Sequence, residues 1–220
     1  MNRDVDAAII GSGPNGLAAA VVLAAAGLGV RVYEGAATPG GGCRTEELTI
    51  PGVRHDVCSA VHPLAAASPF FRRFDLAGRG VRLLTPRIAF AHPLDGGRAG
   101  AAWGTVGDTA AGLGADAGAY RALFGPLVAR GLDLVGEFLS PMRGPGRHPI
   151  ALAGFGLQAI RSAADIASRF STAEARGLFA GAAAHAMHRL DAPMSGGVGL
   201  VLGTLAHLVG WPVVEGGSSR

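Results

Sequence analysis

An α/β fold that opens on a parallel strand-helix-strand unit and continues into a largely helical half is predicted by three observations. The first is the run AAIIGSGPNGL from Ala7 to Leu17, in which four apolar residues meet three spaced glycines and then an Ala- and Leu-rich stretch. The second is another strand-like segment, Gly29 to Glu34, which ends on an acid 18 positions after Gly16. The third is a change from strand-like to helix-like periodicity at about Thr105, sustained to about Val209.

Ala7 to Ile10 is an apolar run of the kind a strand buried on both faces requires. From Leu17 to Ala26 the composition is that of a helix, and Gly27-Leu28-Gly29 is a turn suited to its C-terminus. Between strand and helix lies G-x-G-x-x-G. Gly11 permits the sharp turn, Gly13 lets a pyrophosphate approach the backbone, and Gly16 lets the helix pack closely on the strand. The helix N-terminus then presents N–H groups and partial positive charge to phosphate. The loop Gly11, Ser12, Gly13, Pro14, Asn15 and Gly16 is therefore the candidate cofactor-binding turn. Glu34 stands where an acceptor for adenosine ribose hydroxyls is needed, and its charge disfavours a 2′-phosphate. With 36 glycines in 220 residues the pattern alone is weak, and a Gly-rich connection without a nucleotide is the alternative. The register of strand, glycines, helix and acid favours the nucleotide.

Further elements follow in order. Glu46 to Ile50 and Val53 to Val57, split by Pro51-Gly52, read as a short hairpin. Ser68-Pro69 starts a helix through Phe74, and Gly80 to Leu84 reads as a strand. Ile88 to His92 and Arg98 to Trp103 flank the hairpin turn Asp95-Gly96-Gly97. Asp116 to Leu139 is helical with a break expected at Gly125-Pro126. Ile150 to Phe170 is a second helix, Ser171-Thr172-Ala173-Glu174 a capping box opening a third, and Ser195 to Val209 a fourth.

The loop Thr38-Pro39-Gly40-Gly41-Gly42-Cys43-Arg44-Thr45 and the segment from Pro51 through Asp56 to Pro63 resemble the FAD-dependent oxidoreductases of the phytoene desaturase and amine oxidase superfamily. The similarity is to the phytoene desaturase-like branch that includes pyridine nucleotide-disulfide oxidoreductase domain proteins. In that family Arg directly follows the Gly-Gly pair, whereas here Cys43 intervenes. The resemblance implies FAD as cofactor, with Gly41, Gly42, Arg44 and Thr45 at the approach to the flavin. It implies a Rossmann-like FAD-binding domain of glutathione-reductase type with a largely helical substrate-domain insert. Residues 1–88 would form the N-terminal part of the FAD-binding domain, 89–209 a partial substrate domain, and 210–220 the start of the return. Only the N-terminal portion of the family fold is covered, so a truncated product is expected. The implied activity is hydride removal from an apolar small molecule. A catalytically incompetent remnant that binds a nucleotide or a partner is the alternative, and an NAD-dependent dehydrogenase a third reading.

Composition narrows the classes. The 19 basic residues are all Arg and are scattered, which gives no block of the kind that marks a nucleic-acid surface. Arg-only usage with abundant Ala and Gly reflects a GC-rich, bacterial-type coding bias. The first four residues show no secretory leader pattern, and a cytoplasmic location is expected. Cys43 and Cys58 lack C-x-x-C spacing and read as buried small side chains. The seven histidines show no ligand spacing, so no metal site is assigned. No catalytic residue is assigned either; His62 is a candidate acid–base group only by its place at the end of the flavin-loop segment. Ala192 to Val214 carries no formal charge, but Pro193, Pro212, five glycines and His207 make it a poor bilayer span. It is expected to be a buried helix lining an apolar substrate tunnel. The resemblance leaves peripheral membrane association open, because family members acting on carotenoids draw substrate from a membrane.

Overall fold

The computed structural model describes residues 5–140, 144 and 146–219, and the leader reading at residues 1–4 lies outside them. By internal packing the chain divides into two units. The first comprises the chain through Val61, Val81–Leu83 and the segment from Val213; the second comprises His62–Gly80 and Leu84–Pro212. The domain limits drawn at 88 and 209 follow the resemblance, whereas by packing the segment 62–80 goes with the helices.

In the first unit β1 (Ala7–Ile10), α1 (Pro14–Ala25) and β2 (Val30–Tyr33) form the expected parallel unit, with Ala7 opposite Val30 and Ile10 opposite Tyr33. Helix α1 ends on a Schellman turn: Gly27, at φ +87°, donates to the Ala24 carbonyl, and Leu28 donates to that of Leu23. Strand β1 is not buried on both faces as its apolar run suggested. Residues alternate along it and Ile10 is 83% exposed, because among the described residues β1 pairs with β2 alone. The next hairpin is real but short, β3 (Thr45–Glu46) against β4 (His55–Asp56). Glu215 N–H donates to the Arg82 carbonyl at 2.9 Å, and their side chains pair at 3.4 Å, which ties residues 81–83 to the returning segment.

The second unit begins with α2 (Pro63–Ala67) and α3 (Pro69–Phe74), the latter capped by Ser68 Oγ accepting from Phe70 N–H. The strand expected over Gly80 to Leu84 shrinks to β5 (Leu83–Leu84). The antiparallel hairpin β6 (Ile88–Leu94) and β7 (Arg98–Trp103) follows. Then come α4 (Val106–Ala111), α5 (Ala117–Ala129), α6 (Gly131–Phe138), α7 (Pro149–Ala159), α8 (Ala163–Ala167), α9 (Ala173–Ala183) and α10 (Ser195–Leu208). A short strand, β8 (Val213–Val214), opens the return to the first unit.

Three helix boundaries depart from the periodicity. Helix α5 runs through Pro126, because both Pro126 and Ala122, whose carbonyl the missing N–H would have served, are exposed, which leaves that carbonyl open to solvent. The break comes instead at Arg130 (φ −111°, ψ 10°), and Gly131 allows α6 to start against Leu208; a Cβ there would lie 2.8 Å from Leu208 Cδ2. The second expected helix divides into α7 and α8. Its interruption frees the Ile160 and Arg161 carbonyls to accept from Met194 and Gly196 N–H at the start of α10, while Ser162 caps α8. The third helix is capped by Thr172 rather than Ser171, and Glu174 turns to Arg98 at 3.1 Å instead of closing a capping box.

Helix α10 is the centre of this unit. Gly199 and Gly203 let Phe179, Ala183 and Phe124 pack directly on its backbone, and a Cβ on Gly203 would collide with the Phe124 ring. At the start of α9, buried Asp116 accepts from the N–H and hydroxyl of both Ser171 and Thr172, at 2.6 to 2.9 Å. These bonds outweigh burial, which alone would raise its pKa, and hold the carboxyl far below the usual carboxylate range. Near the end of α10, His207 Nδ1 donates to the Trp103 carbonyl at 3.0 Å, so its Nε2 accepts from the Tyr120 hydroxyl at 2.8 Å. Burial lowers the His207 pKa against the opposing effect of the Trp103 carbonyl, and burial raises that of Tyr120.

Candidate nucleotide site

The first unit brings the sequence-named residues together around the β1–α1 turn. Gly11 adopts φ +91°, open only to glycine at ordinary cost, and its N–H donates to the Tyr33 carbonyl at 2.7 Å. A Cβ on Gly16 would run into the Gly11 carbonyl oxygen, so glycine here is a condition of the turn. Pro14 sits in the first turn of α1, and Gly13 as N-cap leaves the helix without a side-chain cap. The donors that follow it, from Asn15 and Gly16, belong to the turn where an anion gains most from the helix end.

Glu34, just beyond β2, turns its carboxylate onto this loop. Its Oε2 accepts from the Ser12 hydroxyl at 2.5 Å and Ser12 N–H at 2.8 Å, and its Oε1 from Ala36 N–H at 2.8 Å. The Ser12 hydroxyl first, then the Ala36 and Ser12 N–H groups, lower its pKa to about 2. The side chain is exposed and anionic at neutral pH, with acceptor capacity left on Oε1 for a hydroxyl.

The second glycine loop lies directly on the first. Gly40 N–H donates to the Ser12 carbonyl at 3.0 Å, and a Cβ on Gly41 would come within 2.9 Å of Gly13 Cα. Gly40 (φ +119°) and Gly41 (φ +56°) make this contact possible. Gly42 is followed by Cys43, whose thiol burial pushes upward in pKa, so it is protonated at neutral pH. Arg44 bends back, its Nε donating to the Gly41 carbonyl at 3.1 Å and its guanidinium 3.6 Å from Glu46. Thr45 donates through Oγ1 to Asp56 at 2.6 Å.

Sequence reasoning missed how the returning segment closes this loop. Ser219 Oγ accepts from Thr45 N–H at 2.6 Å, Ser219 N–H donates to Thr45 Oγ1, and Ser218 N–H donates to Asp56 Oδ1 at 2.8 Å. Gly217, at φ +100°, lies so close to Thr45 that a side chain would collide with it. The signal was present in Gly216-Gly217-Ser218-Ser219, small residues able to turn and to bond backbone. His62 belongs to the helical unit, at the start of α2, where its N–H donates to the Pro212 carbonyl at 2.8 Å.

Turn, uncapped helix and acid at the end of β2 together form a Rossmann-like strand-helix-strand unit, and residues 9–74 match the model of the NAD(P)-binding Rossmann-like domain family. Structures of putrescine oxidase are similar to the chain as a whole. A variant from a redesign of cofactor binding superposes with a TM-score of 0.54 at 22% identity, covering 97% of this chain and 46% of that one. The wild-type enzyme bound to putrescine gives 0.51 at 20% identity, with the same coverage. At this identity the likeness is one of fold, and the chain spans a little under half the length of those structures. No curated protein sequence matches the chain significantly. No helix among the described residues is long and apolar enough to cross a membrane.

Proposed function

We propose that the chain is the nucleotide-holding front portion of an FAD-dependent oxidoreductase acting on an apolar small molecule. The observation that carries this reading is the stacking of the Gly40–Gly41 turn on Gly13. A nicotinamide dinucleotide needs the first glycine loop and the acid, whereas a second glycine loop laid against the first extends the cradle toward the far end of a longer cofactor. The residues present fit the group. The α1 N-terminus and the Gly11–Gly16 turn hold the pyrophosphate, Glu34 accepts from the ribose hydroxyls, and Gly41, Gly42, Arg44 and Thr45 line the path toward the flavin. When bound, the flavin supplies the hydride acceptor. The chain's own contribution is orientation: Ser12 fixes the Glu34 carboxylate, and Asp56 with Ser218 and Ser219 fixes the second loop.

A second reading, a nucleotide- or partner-binding module without turnover, is favoured by the exposure of Ile10 and Tyr33 at the ends of β1 and β2. The test is the visible spectrum of the purified chain after incubation with FAD and desalting, beside a Glu34→Ala sample. Flavin bands retained by the first and lost by the second support the cofactor site, and substrate screening then separates the two readings. A folded, monodisperse chain that retains no flavin overturns the first reading and leaves the second only as a module for another nucleotide or a partner.

A further inference from the structure

The helical unit contains a cleft of about 550 Å³ between α5, α6 and α7, within the range of small-molecule sites. Its floor is apolar: Leu123, Leu127, Leu134 and Phe170 are all buried core residues that also line it. Helix α7 forms one wall with Phe155 and Ile150, and it has no buried residue although it is apolar almost throughout. Ile150 is 88% exposed, which leaves an apolar side chain in water at the edge of the cleft. On α7 itself, a Cβ added to Gly154 would meet nothing within 4 Å, so this glycine keeps the space open rather than easing a close contact.

Three polar side chains interrupt the lining, and two are cationic. Arg169 donates through Nη2 to Gln158 Oε1 at 2.7 Å, which fixes one edge of its guanidinium and leaves its other N–H groups unengaged among the described residues. Arg130, at the bend between α5 and α6, has no acid partner among the described residues. Among the described residues no carboxylate lines the cleft. An apolar trough bearing two guanidiniums and no acid complements one kind of occupant, a long hydrocarbon chain with a single carboxylate at one end.

We propose that this cleft binds a free long-chain carboxylate, its hydrocarbon on Leu123, Leu127, Leu134 and Phe170 and its head group between Arg130 and Arg169. The site lies wholly within the helical unit and does not rest on the flavin reading. Gln158 holds Arg169 toward the head group, while Ile150 and Phe155 cover the chain.

The test is fluorescence titration of the full chain with cis-parinarate, an 18-carbon carboxylate whose emission rises on leaving water, followed by displacement with oleate, oleyl alcohol and butyrate. One saturable site per chain is expected, emptied by oleate and not by butyrate. Replacing both arginines, Arg130→Ala with Arg169→Ala, should weaken oleate by about tenfold or more while changing oleyl alcohol little, since the charge-assisted bonds serve the head group alone. Gly154→Phe should remove binding, and Ala122→Trp, which fills the cleft from α5, provides the same test should the first variant fold poorly. Far-ultraviolet circular dichroism checks each variant. Absence of saturable binding to the folded chain overturns the proposal, as does binding undiminished by the filling variants or by loss of both arginines. Probe uptake only in the presence of phosphatidylglycerol vesicles, or a filling variant that alters self-association instead of probe binding, likewise overturns it.

Discussion

Asp116→Ala is the substitution with the largest stability effect that the geometry of the helical unit defines. Asp116 is 3% exposed and receives four hydrogen bonds, two from backbone N–H groups and two from hydroxyls, at the residues that start α9. The hydroxyls can rotate toward other acceptors, but the Ser171 and Thr172 N–H groups cannot. Leaving two such donors unserved and losing the charge-assisted bonds costs about 3 to 5 kcal/mol, a large share of the roughly 5 to 15 kcal/mol that holds a domain folded. Both tryptophans, Trp103 and Trp211, belong to this unit, so urea unfolding followed by tryptophan fluorescence reads it selectively. At a slope of about 2 kcal/mol per molar urea the midpoint falls by about 1.5 M or more. Asp116→Asn, which keeps one acceptor oxygen but points an amide at two donors, falls between. The carboxyl binds its proton more weakly folded than unfolded, so its contribution is full above the unfolded value near 3.9 and is lost as pH falls below that. The acid limb of the stability curve should therefore flatten in the variant. A midpoint shift under about 0.5 M, with unchanged slope, would refute the account.

Other changes probe the remaining features. Gly16→Ala drives a methyl group into the Gly11 carbonyl and should abolish flavin retention while leaving tryptophan emission unchanged, as measured on one desalted sample. Gly203→Ala presses on the Phe124 ring and should cost about 1 to 3 kcal/mol by the same urea assay. His207 is held neutral by burial, against the Trp103 carbonyl, so stability is full above its unfolded pKa of about 6.5 and declines as pH falls from there toward the lowered folded value. A His207→Gln variant should lack that decline in a thermal-melt series from pH 7.5 to about 5.

How much was legible in advance differs between the two units for a physical reason. Around Gly11, Gly13, Gly16 and Glu34 the constraints are local: a positive φ, a close helix and a strand end each leave a mark within a few residues. Strand β1 was read correctly in extent and wrongly in environment, since four apolar residues announce a strand but not how many neighbours it has. In the helical unit the errors fall where distant chain decided the outcome. Ile160 and Arg161 leave the helix because Met194 and Gly196 offer donors, and Thr172 displaces Ser171 as cap because Asp116, 56 positions earlier, serves both residues. Pro126 misled in the opposite sense, because its cost depends on whether the orphaned carbonyl meets water. Helix α10 was expected to be buried, and it is. That helix is core, and the apolar cleft is lined instead by α5, α6 and α7, two of which carry glycine or proline positions that open it.

The closure of the second glycine loop by Ser218 and Ser219 has a consequence in time. Thr45 and Ser219 are 174 positions apart, and all the helices of the second unit are encoded between them. On the ribosome the β1–α1–β2 turn emerges first, yet its neighbouring loop gains the Ser218 bond to Asp56 and the Ser219 bonds to Thr45 only when residues 218 and 219 have been made. The helical unit, whose contacts are internal to the intervening segment, is free to collapse earlier. The paired glycine loops are thus made first and completed last, and during that interval the loop from Gly40 to Ser59 rests on its own short hairpin and on the contacts of Gly40 with Ser12 and of Gly41 with Gly13.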